Sequence, residues 1–508
     1  MVLELPAESL SWRAVGLLSF GLTRSWGVDK KGLHKDKIVR QAVQHLADIT
    51  AQHLARTNSR DTGANSRDRV TNSRDMGAEM TARDCALLAG ALMKAGLSGH
   101  AVWVLLAQHV THTHISANST PLALEDAAYL AEATAWKARL EDTQFPAGFL
   151  PVLRESVVRH VRGGITGGSG GSAYKVALLL SSLSSLSAAT QSTVNTTTAP
   201  TVASSSSSAS SSSASSPSSS PDEEVWRSTA LALKHMPIDS LSTQAIIALL
   251  AAFSRAKVFD GELLELLALG ALSRANQGVA SIAHIASVLS SLANCNMVWV
   301  EAALTEHLFM GMSEALCNMS PSSYSIQQAA VIASAFAKAK MFDERLFSHL
   351  SRAVQWRGRA APEFSVQAVG VLLFAFSRVQ VDDPKLLDFL AHIIVDIPPG
   401  DFTPQALAVV ISVYAGAHRR RSFSSLTLAA SVDPAALPLA TGILGHLATV
   451  ASTIAPESYE ARHVRAIVSA YHRAGVRGSG LFLVMSRAWE TRWGSGFATE
   501  KEMIAFFS

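Results

Sequence analysis

Three stretches of this chain repeat one pattern. Leu241 opens LSTQAIIALLAAFSRAKVFDGELLELLALGAL, Tyr324 opens YSIQQAAVIASAFAKAKMFDERLFSHLSRAV, and Phe364 opens FSVQAVGVLLFAFSRVQVDDPKLLDFLAHII. Each has a polar opening (Ser242-Thr243-Gln244, Ser325-Ile326-Gln327, Ser365-Val366-Gln367) and then an Ala-Phe pair (Ala252-Phe253, Ala335-Phe336, Ala375-Phe376). Two residues after that Phe stands a cation, followed by an acidic turn (Asp260, Asp343, Asp382-Asp383) and a Leu-rich run. The pattern reads as a pair of helices. A Ser or Thr hydroxyl can cap the first helix by accepting a free backbone N–H. Leu and Phe at spacings of three and four mark the second. One such pair cannot bury its own apolar face, so pairs must stack.

With the Phe position as a ruler, the matches fall at Leu22, Leu92, Ala135, Leu183, Phe253, Leu292, Phe336, Phe376, Tyr414 and Tyr471. From Phe253 to Tyr414 the spacings are 39, 44, 40 and 38 residues. The expected fold is therefore all-α, an α-solenoid of about ten helix-turn-helix repeats of roughly 38–44 residues with disordered insertions. Residues 1–173 hold degenerate repeats, with a polar insert at 55–79, where Asn-Ser-Arg-Asp recurs, and a Gly-rich connector at 162–173. Residues 174–240 are one repeat split by a Ser-rich insert at 187–221; 241–490 are regular repeats, and 491–508 a tail.

Composition narrows the function. At 508 residues the chain is too long for one compact core, which suits an array. A net charge of +3 is too small to predict nucleic-acid binding, so any such case rests on where the charges sit. Cys85, Cys295 and Cys317 lack the spacing of a zinc site or a disulfide framework. The longest largely apolar run, Ala406–Ala417, is well short of the roughly 20 residues that span a bilayer, so no membrane segment is expected. Residues 1–10 carry two acids and no base, unlike a secretory signal or an Arg-rich transit peptide. HExxH, intact GxGxxG and Gly-Lys-Ser/Thr motifs are all missing. His109, His112 and His114 cluster, but no carboxylate or Cys stands beside them to complete a metal site. No catalytic residue, metal, cofactor or small-molecule substrate is expected.

The position two after the Phe ruler is basic in seven units: Arg24, Lys94, Lys137, Arg255, Lys338, Arg378 and Arg473. The others carry Ser185, Asn294 and Gly416. In a stack such residues form a ladder, and a cation on each layer can track a nucleic-acid backbone. The competing reading is a cation that complements the helix C-terminal dipole. Gln244, Gln327, Gln367 and Gln405, near the start of the first helices, could read base edges or act as capping-box partners. The run His418-Arg419-Arg420-Arg421 could grip phosphate or be a solvated loop.

The pattern Ser-x-Gln-x₇-Ala-Phe-Ser/Ala-Arg/Lys, an acidic turn and Leu-Leu-x-x-Leu resembles the heptatricopeptide and octotricopeptide repeats of organellar RNA-binding proteins, and the helical region of the FAST-kinase-domain family. The resemblance covers most of Ser11–Trp489 and is clearest over Leu241–Trp489. It implies single-stranded or ribosomal RNA as partner, a mitochondrial or plastid address, and a part in transcript processing, stability, translation or ribosomal RNA assembly. Such proteins often end in a RAP domain, for which this chain leaves no room. The expectation is a non-catalytic mitochondrial RNA-binding protein. The alternative is an armadillo- or HEAT-like protein scaffold or ribonucleoprotein subunit.

Overall fold

The computed structural model describes residues 14–15, 18, 33–61, 80–99, 101–115, 122–140, 145–146, 148–162, 171–197, 221–295, 302–358, 364–381, 383–427, 436–475, 479–494, 497 and 499–507. Among them are 20 α-helices and no strand. In chain order the first nine are α1 (Leu33–Asp61), α2 (Ala82–Lys94), α3 (Val102–Ile115), α4 (Leu124–Leu140), α5 (Phe149–Arg162), α6 (Gly171–Thr197), α7 (Pro221–Lys234), α8 (Thr243–Ala256) and α9 (Gly261–Asn276). Next come α10 (Ile282–Asn294), α11 (Ala302–Cys317), α12 (Ile326–Ala339), α13 (Glu344–Trp356), α14 (Val366–Arg378) and α15 (Pro384–Asp396). The last are α16 (Pro404–Thr427), α17 (Ala436–Thr453), α18 (Ala461–Ala474), α19 (Ser479–Trp493) and α20 (Glu500–Phe507). No helix among the described residues is long and apolar enough to cross a membrane.

The chain divides into two compact units, residues 1–270 and 271–508, with the division inside α9. In the first unit α2, α4, α6 and α8 pack side by side in sequence order, and α1, α3, α5 and α7 do the same beside them. In the second unit α10, α12, α14, α16 and α18 form one layer, and α11, α13, α15, α17 and α19 the other. The even-numbered layer is called A and the odd-numbered layer B. Each repeat gives one helix to each layer, so the fold is an all-α solenoid.

Local chemistry sets the helix starts. Ser242, Ser325 and Ser365 cap α8, α12 and α14, accepting from Ala245 N at 3.2 Å, Gln328 N at 3.1 Å and Ala368 N at 3.2 Å. A single 3-10 turn precedes four A helices: Ile238–Ser240, Pro321–Ser323, Pro399–Asp401 and Pro456–Ser458. The residue after each turn (Leu241, Tyr324, Phe402, Tyr459) is buried. The Tyr324 hydroxyl donates to Leu316 O at 2.7 Å and that of Tyr459 to Ala451 O at 3.0 Å, closing the last turns of α11 and α17. Burial pushes both phenols up, so they stay protonated donors. B helices start on acids. Asp343 accepts from Arg345 N at 2.9 Å, Asp383 from Leu386 N at 3.0 Å, and each also receives a serine hydroxyl from the preceding B helix, Ser313 and Ser351.

The ruler residues Phe253, Leu292, Phe336, Phe376, Tyr414 and Tyr471 are all buried. In the second unit Phe336 meets Phe309 edge-on at 5.0 Å, and Phe347 meets Phe376 edge-on at 5.0 Å. Tyr414 and Tyr471 keep the ring and send their hydroxyls to B-layer carbonyls, Leu387 O at 2.9 Å and Leu444 O at 2.6 Å.

Five expectations are corrected. Residues 418–425 belong to α16, which runs on to Thr427, so the basic run lies on a helix and not in a loop. Part of the predicted Ser-rich insert, to Thr197, continues α6, and the Gly-rich connector gives way to α6 at Gly171. The polar insert likewise overlaps the end of α1, which reaches Asp61; residues 62–79 and 198–220 lie outside the described residues. The tail contains α20, packed on α18 and α19.

Two measurements check this core. Phe347 is fully buried against Phe336, Phe342 and Phe376, whereas Phe342 is 53% exposed. Phe347→Ala should cost about 3–5 kcal/mol in denaturant unfolding and Phe342→Ala about 1 kcal/mol or less. The second concerns pH. Burial, helped by the Arg352 charge, holds His349 below the ordinary imidazole value of 6.5, and burial does the same to His463. Above that value the folded and unfolded chains are both neutral there. Below it the unfolded chain takes up protons that the folded chain refuses, so stability should fall as pH drops through about 6.5. His349→Asn should shallow that slope between about pH 6.5 and 5 in thermal melts.

Candidate functional site

In α8, α12 and α14 the glutamine is the second helical residue, and the ladder cation stands eleven residues later. Eleven residues are about three turns and about 16 Å of rise, so both ends of the span face the same way. On each helix the structure brings them to one surface of that helix. Gln244, Gln327, Gln367 and Gln405 are exposed at the N-terminal ends of their A helices; Arg255, Lys338 and Arg378 are exposed at the C-terminal ends of theirs. Between them lie half-buried small or apolar residues: Ala248 and Ala251 on α8, Val331 and Ser334 on α12, Val409 and Ser412 on α16. On α14 the inner pair is Val371 and Phe374, and the Phe374 ring is 45% exposed.

In the second unit this surface is a groove of about 1020 Å³ across α12, α14 and α16. Lys338, Gln367, Phe374 and Gln405 line it from the A helices, and the carboxylates Asp396 and Asp401 line it from the end of α15 and the 3-10 turn that follows. The same outward positions on α10 are Ala283, Ser287, Ser290 and Asn294, and on α18 Arg462, Ala466, Ser469 and Arg473. None of the outward positions of the five A helices in this unit is Asp or Glu. The first unit differs. Its stripes are Arg83 to Lys94 on α2, Glu125, Tyr129, Glu132 and Trp136 on α4, Tyr174 to Ser185 on α6 and Gln244 to Arg255 on α8. The Lys175 ammonium pairs with Glu125 and holds its carboxyl below the ordinary value.

The ladder cations are also tied into the stack. Lys338 donates to Asn294 Oδ1 at 2.9 Å, and Asn294 is itself the ladder residue of the preceding repeat. Arg255 donates to Ala251 O at 3.2 Å and to the Ser181 hydroxyl. Arg473 donates to Ser469 O at 3.2 Å. Lys94 is exposed at the end of α2.

Lys137 does not join the row. It is 4% exposed, because α4 starts at Leu124 and its outward stripe therefore ends on Trp136; one residue further turns about 100° into the core. Trp136 packs on Trp103 with ring centres 6.2 Å apart, and Thr134 and Ala135 are both buried. The capping-box reading of the glutamines is also corrected. The box on α12 is closed by Gln328, whose Oε1 accepts from Ser325 N at 3.0 Å, and Gln327 faces outward. Arg419 is exposed on α16; the Arg420 and Arg421 side chains, and Arg24, lie outside the described residues. His109 is bonded to Met80 O at 2.9 Å, and among the described residues no group of His, Cys, Asp and Glu side chains could hold a metal ion.

Sequence reasoning missed Phe374. Its signal was the eleven-residue stripe, in which an aromatic replaces the small residue of the sister repeats.

No family model matches the chain, and no curated protein matches it. Among solved structures it is similar to a chain of the "Homology model of the full-length AP-3 complex in an intermediate open conformation", at 10% identity over 97% of this chain and 86% of that one. The TM-score of 0.28 is too low for that likeness to bear on fold or function.

Proposed function

We propose that this protein binds RNA along the outward surface of layer A, without catalysis of its own, and acts in organellar, mitochondrial RNA metabolism such as transcript or ribosomal RNA processing, stability or ribosome assembly. The observation that carries the reading is the groove of the second unit. It combines an exposed aromatic ring, two outward amides and a cation on the A helices, with two carboxylates, Asp396 and Asp401, elsewhere in its lining. Single-stranded nucleic acids are held by that combination: aromatic faces for bases, amides for base edges, cations for phosphates. The resemblance of the repeats to heptatricopeptide, octotricopeptide and FAST-kinase-domain proteins supports the organellar assignment. A protein partner is the second reading. It is favoured by the spending of Lys338 and Arg255 on hydrogen bonds within the stack and by exposed Trp356 and Leu483.

Binding to mixed-sequence single-stranded RNA should weaken with salt. Replacing Arg255, Lys338 and Arg378 together by Gln should lower the slope of log K against log salt by up to about 2, at roughly 0.7 per phosphate contact. Phe374→Ala should cost about 1–3 kcal/mol if a base stacks there. A triple variant with unchanged affinity and slope would make the ladder structural and leave the protein-partner reading.

A further inference from the structure

Several helices end on a residue in the left-handed backbone region, which favours glycine because it has no Cβ. In layer B that residue is glycine wherever it is described: Gly278 at φ 71°, Gly358 at φ 72° and Gly494 at φ 75°. Layer A differs. Gly96 and Gly475 close α2 and α18, but Lys257 at φ 55° closes α8, Lys340 at φ 57° closes α12 and Gln380 at φ 59° closes α14. The bond that defines the ending is the same across four A helices: Leu97 N to Leu92 O at 3.0 Å, Val258 N to Phe253 O at 3.2 Å, Met341 N to Phe336 O at 3.0 Å and Val381 N to Phe376 O at 3.1 Å. Glycine therefore serves this turn in α2, and the long side chains are not needed to form it.

Lys257 and Lys340 are exposed, and each stands two residues beyond a ladder cation, Arg255 and Lys338. No ion pair or side-chain hydrogen bond joins either ammonium to the described residues. The ladder cations are bonded into the stack at these same ends, whereas these two lysines are not. We propose that Lys257 and Lys340 are phosphate-contacting residues, kept in an unfavourable backbone conformation because a second cation is needed at those A-layer ends. The proposal rests on the RNA-binding reading and deepens it: in each unit it assigns a contact that the repeat pattern did not contain.

The test uses the full chain, mixed-sequence single-stranded RNA and two readouts. Lys257→Gly and Lys340→Gly relieve the backbone, so each should raise the thermal midpoint by about 1–3 °C. Together they should weaken RNA binding by roughly tenfold and reduce the salt slope by about 1.4, the share of two phosphate contacts. Gly358→Lys puts the same strained side chain at a layer B end, where an added Cβ meets open space. It should lower the midpoint and leave binding unchanged. Glycine variants that bind as tightly as the parent, or that melt lower, would overturn the proposal. A parent chain that does not bind RNA at all would overturn the functional reading beneath it.

Discussion

Rings from successive repeats meet edge to face inside the second unit, and that contact sets how one helix pair sits on the next. Phe309 and Phe347 from layer B flank Phe336, and Phe347 reaches on to Phe376. Edge-to-face pairs are worth about 0.5–1.5 kcal/mol beyond their area, and they fix orientation as well as distance. Ala252, Ala335 and Ala375 beside the ruler residues are buried too, and small side chains let neighbouring helices come close. Once the rings are placed, the polar links fall into reach: serine hydroxyls of one B helix on the acid that starts the next, and tyrosine hydroxyls on the carbonyls that end another. Stability then accumulates between nearest neighbours, as expected of a stack.

The repeat pattern, the serine caps and the buried ruler positions were legible because each is local. They depend on spacing within one helix. What escaped was whatever a neighbour decides. Ala135 and Thr134 are both small and both buried, so neither marks the frame of the helix; the start of α4 at Leu124 does. The stretch through Arg421 is polar and reads as a loop, yet α16 continues across it. The Pro-bearing 3-10 turns carry a sequence signal that the Ser-x-Gln pattern drew attention away from. Lys257 and Lys340 gave no signal, since a left-handed ending is ordinarily announced by glycine.

A near-neutral chain can still sort its charges into engaged and exposed ones. In the second unit the A helices end, and the B helices begin, on the same side of each repeat. Two of the acids there are engaged within the stack, Asp343 and Asp383, which take backbone N–H groups and serine hydroxyls, while Glu344 is exposed. Lys338, Lys340 and Arg378 are exposed. The formal balance of +3 hides this sorting, because it counts charges without asking which are already engaged.

The eleven-residue span also governs how such a chain can change. Between its capping residue and its cation an A helix has no spare position. One inserted residue rotates everything beyond it by about 100°, exchanging an outward side chain for one that belongs inside. Growth must therefore happen in the links, and the long polar stretches at 62–79 and 198–220 fall between helices. The helices keep a frame as strict as that of a message, while the spacers between them are free to lengthen.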